Sequence, residues 1–234
     1  MLLIARHGQC AQNAAGLLVG RSDPPLTDLG QRQAAALGRA VASAIGSPSS
    51  GSDPGRERAA VQVVASPLGR ARATAAAICD ALGIASGAIT VDARWVEIDY
   101  GAYEGMPAGS VAQEVWTSWR KDLAFRPPGG ESLADVAERV REACDEIAST
   151  ASRSASQGDA GHPTHTIVVS HVSPIKAAVA WALGADAAVV WRMHLDVASL
   201  SRVALPQDTV GGVAVRRRPA LRSYNEIAHL AALP

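Results

Sequence analysis

Two side chains that can handle a phosphate group follow the first apolar run of the chain. Arg6 and His7 come directly after residues 2–5, a short apolar run that predicts a buried strand, and Gly8 comes next. Arginine offers a rigid fork of donors that suits phosphate or carboxylate, and histidine can act as nucleophile, acid or base near neutral pH. Glycine lets a ligand or a tight turn come close to the backbone. The triplet is compatible with a binding site and also with an ordinary turn after a strand.

Two later apolar runs are followed by the same kind of residue. Arg70 lies shortly after residues 61–65, and His171 follows residues 166–170 directly. Because the carboxyl ends of parallel strands meet at one edge of a sheet, we expect these side chains to converge with the first pair. The helix N-termini that follow the strands add backbone N–H groups and a positive dipole end. The sequence therefore predicts a pocket for an anion such as phosphate.

Amphipathic helices alternate with the strands, and their ends carry capping signals. Thr27 can cap a helix, and Ser66 with Pro67 forms a second helix start. Ser132 with Asp135 is typical of a capping box. Buried strands that alternate with helices indicate a sheet covered on both faces. We therefore predict an α/β fold, a three-layer α/β/α sandwich with a mostly parallel central sheet.

The chain is predicted to form one domain over residues 1–234, since no linker divides it and no internal repeat is found. Polar stretches near 46–60 and 149–165 predict surface loops. Residues 197–205 and 213–217 are predicted as the closing strands. Their short connection favours an antiparallel strand at that end of the sheet.

Composition argues against several classes of protein. With 48% hydrophobic and 19% charged residues, the 234-residue chain is typical of a soluble globular protein. Lysine plus arginine and aspartate plus glutamate both number 22, so no overall charge points to nucleic acid or to a membrane surface. The three cysteines share no close spacing, no apolar run approaches roughly 18 residues, and no signal peptide is recognised. We expect a cytoplasmic protein that acts on a small molecule, with no nucleic-acid or membrane partner.

Residues 95–105 combine three aromatic residues and three acids between turn signals, which is typical of a site loop. Together with the strand-end residues, this segment completes a set of motifs that resembles the histidine phosphatase (phosphoglycerate mutase-like) superfamily. The motifs are, in chain order, Arg6-His7-Gly8 with Asn13, Ser66-Pro67-Leu68-Gly69-Arg70-Ala71 with Thr74-Ala75, Glu97 ahead of Gly101, Pro128-Gly129-Gly130-Glu131-Ser132, and Val169-Ser170-His171. Five motifs in the right order are far more specific than any one of them, and the resemblance extends over nearly the whole chain.

The resemblance implies a phosphohistidine mechanism. His7 would attack phosphorus and form a phosphohistidine. Arg6, Arg70 and His171 would bind the non-bridging oxygens. Glu97 would protonate the leaving alcohol and then take a proton from the attacking water. This chemistry requires neither a metal ion nor a cofactor.

Four further positions concern binding or depart from the family pattern. The resemblance implies that Asn13 adds a neutral hydrogen bond to the phosphate, whereas Arg21 could reach the substrate or only its own loop. Cys10 stands where the family often has Thr or Ser, which removes one hydroxyl donor near the phosphate. Val172 stands where glycine is common. Neither departure touches the core residues, so we expect an active protein.

The segment Tyr103-Glu104-Gly105 resembles the phosphatase branch of the family. It favours a phosphoric monoester hydrolase, of the histidine acid phosphatase type, that acts on a small phosphorylated metabolite. The nearest alternative is a phosphoglycerate mutase-type phosphoryl transfer, and a non-catalytic phospho-ligand binding module is a third. In a metallophosphatase the ligands would be His7, His171, Glu97 and Asp99, but arginines beside a dication argue against that mechanism.

The substrate itself is left open by the sequence. Residues 14–25 and 108–128 are expected to contact it, and such loops vary within a fold. Trp116 and Trp119 are interpreted as lining the substrate side of the pocket, with a place in the core as the alternative. Glu104 is interpreted as a partner of neighbouring groups rather than as the acid. Exposed apolar surface on the outer helices allows a homodimer.

Overall fold

A mixed sheet forms the centre of the protein. The computed structural model describes residues 1–46, 60–157, 165–206, 209–210, 213–214 and 218–233. The strands in chain order are β1 (Leu2–Arg6), β2 (Val61–Ala65), β3 (Thr90–Val91), β4 (His165–Ser170), β5 (Leu200–Ala204), β6 (Thr209–Val210), β7 (Val213–Ala214) and β8 (Ala220–Glu226). In the described part of the chain, six of them form one sheet in the order β3-β2-β4-β1-β5-β8. The first four strands pair in parallel, and β5 pairs antiparallel with both β1 and β8, which confirms the predicted mostly parallel sheet with an antiparallel strand at that end.

Helices cover both faces of this sheet. They are α1 (Ala11–Ala14), α2 (Asp28–Ile45), α3 (Gly69–Leu82), α4 (Gln113–Lys121), α5 (Leu133–Gln157) and α6 (Val172–Leu183). Apolar side chains of α2 and α3 pack on one face, and those of α5 and α6 pack on the other. The three-layer α/β/α sandwich predicted from the sequence is confirmed.

The first strand shows why the sequence folds this way. Leu2 and Ile4 of β1 belong to the core beneath α5 and α6, whereas Leu3 and Ala5 belong to the core beneath α2 and α3. All four are at most 1% exposed. Successive side chains of a strand point to opposite faces, so a central strand must be apolar at every position rather than at every second one. An uninterrupted apolar run is therefore what the middle of this sheet requires.

The predicted helix caps at Thr27 and Ser132 are found in the structure. The Thr27 hydroxyl accepts a hydrogen bond from the Gly30 amide at 3.0 Å, and α2 ends at Gly46 in the left-handed conformation (φ 73°). Asp135 accepts from the Ser132 amide at 2.9 Å while its own amide donates to the Ser132 hydroxyl at 3.1 Å. These caps satisfy donors that the first turn of each helix leaves unpaired.

Two loop and helix predictions are wrong in part. The polar loop predicted near 149–165 is helical as far as Gln157, because α5 continues through its serines and alanines; residues 158–164 lie outside the described ranges. Of the loop predicted near 46–60, residues 47–59 likewise lie outside them. The helix predicted to start at Ser66 and Pro67 begins instead at Gly69, because the Ser66 hydroxyl contacts His171.

Of the two predicted closing strands, residues 197–205 contain β5 as expected, whereas the second differs from the one observed. Of residues 213–217, the described Val213–Ala214 pairs only with Thr209–Val210 in a separate ribbon. The edge of the main sheet is β8, which the sequence analysis missed, since its alternating polar residues resemble a loop. No helix within the described ranges combines the length and the apolar character that crossing a membrane demands.

Candidate active site

The carboxyl ends of β1, β2 and β4 lie side by side. The His7 amide donates to the Ser170 carbonyl at 3.1 Å, and the Ser66 amide donates to the Val169 carbonyl at 3.0 Å. Through these backbone hydrogen bonds, the parallel pairing of β1 and β2 with β4 continues one residue beyond the ends of the strands. As a result the rings of His7 and His171 lie 4.9 Å apart between centroids. The structure therefore brings together side chains that are 164 positions apart in the chain.

His7 is held in one tautomer. Its Nδ1 lies 2.7 Å from the Gly8 carbonyl oxygen, which can only accept, so Nδ1 carries the proton. Arg70 Nε donates to His7 Nε2 at 3.3 Å, which requires a lone pair on that nitrogen. Burial, followed by the positive charges of Arg6 and Arg70, lowers the pKa of His7 well below its ordinary value. The ring is thus neutral at pH 7, with Nε2 available as a nucleophile.

The backbone at Gly8 has no room for a side chain. A Cβ added there would collide with the carbonyl oxygen of Gly30, near the start of α2. The Gly8 amide also donates to the Thr74 hydroxyl at 3.1 Å, which ties this turn to α3. Glycine is therefore needed after His7 so that α2 can pack closely against the turn that orients the ring.

Arg70 is buried at the start of α3, with 1% of the residue exposed. Its guanidinium donates to the Ser22 carbonyl at 2.6 Å and to the Gly20 carbonyl at 2.8 Å, in addition to His7. Asp23 accepts from the Gly69 amide at 2.6 Å and lies 3.6 Å from the guanidinium. Burial lowers the pKa of Arg70, and the carboxylate of Glu97 opposes this shift. The loop at 20–23 thus fixes the planar fork beside His7.

Glu104 holds that loop in turn. A single carboxylate oxygen accepts from the Gly20 amide at 2.8 Å, from the Ser22 amide at 3.2 Å and from the Ser22 hydroxyl at 2.6 Å. A Cβ on Gly20 would collide with the backbone carbonyl oxygen of Ile98, so the close approach of the loop to this segment needs glycine. The interpretation of Glu104 as a partner of neighbouring groups agrees with this arrangement.

His171 is fully buried and carries one unpaired ring nitrogen. Its Nε2 lies 2.7 Å from the Ser66 hydroxyl oxygen. Within the described ranges, its buried Nδ1 has no hydrogen-bond partner. Burial, followed by the neighbouring His7 and Arg70, lowers the pKa of His171 well below its ordinary value. If the Ser66 hydroxyl donates its hydrogen bond to Nε2, the neutral imidazole carries its own proton on Nδ1. That N–H would then point to a ligand.

Glu97 lies at the N-terminus of α6. Its carboxylate accepts from the amides of Ile98 at 2.8 Å, Val172 at 3.0 Å and Ser173 at 3.1 Å. The backbone N–H groups at a helix N-terminus favour a negative charge. The carboxylate also offsets part of the lowering of the pKa of Arg6 that burial causes. The Glu97 carboxylate is therefore held in a fixed position next to the arginines of the pocket.

Arg6 reaches the pocket from the end of β1. One terminal nitrogen donates to the Leu195 carbonyl at 2.6 Å. Its Nε is buried and has no hydrogen-bond partner in the part of the chain that the structure describes. Donors thus surround His7: the guanidinium groups of Arg6 and Arg70, and Nδ1 of His171. Two of these donor atoms, Arg6 Nε and His171 Nδ1, have no acceptor among the described residues. Such an arrangement is suited to the oxygens of a tetrahedral anion.

The family profile of the histidine phosphatase superfamily (branch 1) matches residues 2–216. The chain belongs to this superfamily. Among proteins with similar sequences, a bifunctional protein of Mycobacterium tuberculosis is 37% identical over 188 residues, which are 79% of this chain and 44% of that protein. The chain thus spans less than half the length of this relative. A probable phosphoglycerate mutase of Erwinia tasmaniensis is 33% identical over 86% of this chain and 82% of that protein.

A solved structure gives the same fold assignment. A mycobacterial glucosyl-3-phosphoglycerate phosphatase in complex with VO3 superposes with a TM-score of 0.74 and 26% identity, over 96% of this chain and 98% of that one. The predicted membership of the histidine phosphatase superfamily is confirmed by these matches.

Two predicted binding residues of this histidine phosphatase superfamily member make other contacts. The Asn13 side-chain oxygen accepts from the Cys10 amide at 3.3 Å and from the Cys10 thiol at 2.9 Å, so Cys10 takes part in the turn that holds Asn13. Arg21 is partly exposed and forms an ion pair with Glu131 at 3.2 Å. It therefore reaches neither its own loop nor the cluster around His7, but a carboxylate of a different loop.

The tryptophans predicted to line the pocket belong to an aromatic group. Trp119 is 1% exposed and packs against Tyr100, Phe125 and Trp191, so its predicted lining role is wrong. Trp116 stacks on Trp119 and is half-buried. Among the described residues, no group of three His, Cys, Asp or Glu side chains is placed to hold a metal ion.

Two contributors to the site are not predicted as such from the sequence. Ser66 belongs to a motif of the resemblance but is assigned there only as a helix start, whereas its hydroxyl contacts His171. Asp23 is assigned only to a loop, and no sequence signal marks its contacts with Gly69 and Arg70.

Proposed function

We propose that the protein is a phosphomonoester hydrolase that acts through a phosphohistidine at His7 on a small phosphorylated metabolite. The observation that carries the proposal is the state of the His7 ring. Its Nδ1–H is bound by the Gly8 carbonyl, and Nε2 keeps its lone pair beside Arg70. A neutral, fixed imidazole among cationic donors is what nucleophilic attack on a phosphate ester requires.

In the first step, His7 Nε2 forms a bond to phosphorus while the bond from phosphorus to the alcohol oxygen breaks. Protonated Glu97 gives its proton to that oxygen, so the alcohol leaves neutral. The resulting carboxylate is stabilised by the three amides that already donate to it. Arg6, Arg70 and His171 Nδ1–H stabilise the charge on the three non-bridging oxygens.

In the second step, water attacks the phosphohistidine and the Glu97 carboxylate takes its proton. The P–N bond breaks, phosphate leaves, and His7 regains its lone pair. Asn13 is assigned to the phosphate through its amide nitrogen, since its oxygen is used by Cys10. Arg21 is assigned to the rim of the pocket, where release from Glu131 would let it meet the substrate.

The test is the capture of phosphate on His7. The wild-type protein, mixed with a ³²P-labelled monoester and quenched rapidly, should carry acid-labile label, and His7→Ala should carry none and release no phosphate. His194→Ala is the matched control, because 80% of the His194 side chain is exposed and its one ion pair among the described residues is with Asp196. If His7→Ala releases phosphate at the wild-type rate, the nucleophile is wrong. Binding without any turnover by the wild type would favour the binding-module alternative.

Mutase activity is the second candidate, because one relative is named a probable phosphoglycerate mutase. Hydrolysis is favoured by the similar structure named a glucosyl-3-phosphoglycerate phosphatase. The two are separated by supplying a phosphoglycerate with and without its bisphosphorylated form. Isomer exchange that needs the bisphosphate and releases no phosphate would overturn the hydrolase proposal.

Metal independence, cytoplasmic location and the homodimer belong to the same proposal. Activity should survive a chelator, and a loss of activity that added metal restores would refute the metal-free mechanism.

Cys10, Cys79 and Cys144 are unpaired and buried, which supports a reducing compartment. Exposed Leu183 on α6, with 52% of the residue accessible, supports self-association, which light scattering would measure.

A further inference from the structure

A lysine without a protein partner lies on the helix that holds Glu97. Lys176 is half-buried on α6, whose amides at Val172 and Ser173 bind the Glu97 carboxylate. Within the described ranges, neither a hydrogen bond nor an ion pair reaches its ammonium group. An ammonium group that no described residue engages keeps all three of its donors available to a ligand.

Helix geometry directs this side chain toward the pocket. Residues three and four positions apart lie on one face, so Lys176 stands one turn after Ser173 and Val172. Long helical side chains lean toward the helix N-terminus, which here is the end occupied by Glu97. Burial lowers the pKa of Lys176, the charge of Glu97 opposes the shift, and Arg6 adds to it. The ammonium group is therefore close enough to interact with both residues.

Other polar atoms around Arg6 are also left without partners. In the described part of the chain, the buried Arg6 Nε and the buried Tyr224 hydroxyl have no hydrogen bond. Burial raises the pKa of Tyr224 to about 12, and Arg6 opposes the shift, which shows that the two interact. Buried polar atoms are normally hydrogen-bonded, so unpaired ones beside a reaction site indicate a place for a ligand's polar group.

The position relative to Glu97 decides which part of the ligand this is. In the proposed reaction Glu97 protonates the leaving oxygen, so the alcohol moiety lies on the Glu97 side of the phosphorus. We propose that Lys176 binds a second anionic group, a carboxylate or another phosphate, carried by the alcohol moiety of the substrate. This inference rests on the proposed hydrolase activity. It makes Lys176 a specificity-determining residue that selects doubly anionic esters.

The test compares esters that differ in one anionic group, and the doubly anionic member of each pair is the ester that carries a second such group besides the phosphate that is released. The carboxylate arm uses 3-phosphoglycerate against glycerol 3-phosphate, and the phosphate arm uses glucose 1,6-bisphosphate against glucose 6-phosphate. Lys176→Met should lower kcat/KM for the doubly anionic member of the preferred pair about 10-fold while the other member changes little. Lys176→Arg should restore most of the preference. Arg39→Met is the control, since Arg39 is an exposed cationic residue on α2, outside the segments expected to contact the substrate.

The outcomes separate the inference from the function. An unchanged ratio in Lys176→Met, or an equal loss for both members of a pair, overturns the inference, and an equal change in Arg39→Met does the same. If the wild type releases no phosphate from any ester, the hydrolase proposal fails. Binding then decides the inference: calorimetry on His7→Ala, with and without Lys176→Met, should show weaker binding of the doubly anionic ester only. Equal affinities in the two proteins would overturn it.

Discussion

Replacement of Glu104 by alanine should loosen the loop that holds Arg70. Glu104 accepts three hydrogen bonds from Gly20 and Ser22, and the carbonyls of the same two residues accept from the Arg70 guanidinium. The chain of contacts runs from Glu104 through the loop to the arginine beside His7. A change at Glu104 is therefore expected to affect both stability and phosphoryl transfer, although Glu104 does not touch the reacting atoms.

The size of the effect follows from the contacts. A hydrogen bond to a charged group contributes about 1.5–3 kcal/mol, but three bonds to one half-buried oxygen are not additive, so we take about 2–4 kcal/mol for the group. For a chain of this length, 1 kcal/mol corresponds to about 2–4 °C in Tm, which gives a decrease of about 4–16 °C. Misplacement of a transition-state donor by about 1 Å costs up to about 100-fold in rate. We expect kcat of Glu104→Ala to fall about 10- to 100-fold.

The assay combines thermal unfolding with phosphate release. Glu104→Gln keeps an acceptor oxygen but loses the charge, so it should lie between the wild type and Glu104→Ala. Glu142→Ala is the control, since Glu142 is exposed on α5 and makes no hydrogen bond within the described ranges. If Glu104→Ala keeps the Tm and kcat of the wild type, the loop is held by other contacts and the reasoning is refuted.

Three further results are expected from the same site. The pKa values of His7 and His171 are lowered in the folded protein, so the unfolded chain binds more protons below about pH 6.5. The free energy of unfolding should therefore fall as the pH decreases from there. His7→Asn should flatten this dependence in Tm measurements, and an equally steep profile would contradict it. Ser66→Ala leaves the buried Nε2 of His171 unpaired, which should cost about 1–3 kcal/mol in denaturant unfolding and reduce kcat; unchanged values would show that the contact is unimportant. Gly8→Ala should lose at least about 1–3 kcal/mol and most activity, because its Cβ meets the Gly30 backbone; a fully active variant would show that the turn can move.

The sequence by itself determined the central strands of the sheet and the candidate site residues that follow them. The apolar runs of β1, β2 and β4 mark strands buried on both faces, because successive side chains of a central strand face the two apolar layers in turn. His7 directly follows β1 and His171 directly follows β4. Arg70 lies in the first turn of α3, the helix that follows β2. The rule that parallel strand ends share one edge then brings the three together. The edge strand β8 and the length of α5 could not be predicted, since their residues alternate or are mostly small and polar.

The tertiary structure decided how these residues are oriented. The bond from Gly20 to Glu104 joins positions 84 apart, and that between Ser66 and His171 joins positions 105 apart. Neither pair belongs to a local pattern, because periodicity reports which side of an element is buried and not which distant loop packs on it. The same holds for Lys176, since only the folded chain shows that none of the described residues pairs with its charge near Glu97. Local order in the sequence thus determines the chemistry available, whereas contacts between distant loops determine its geometry and selectivity.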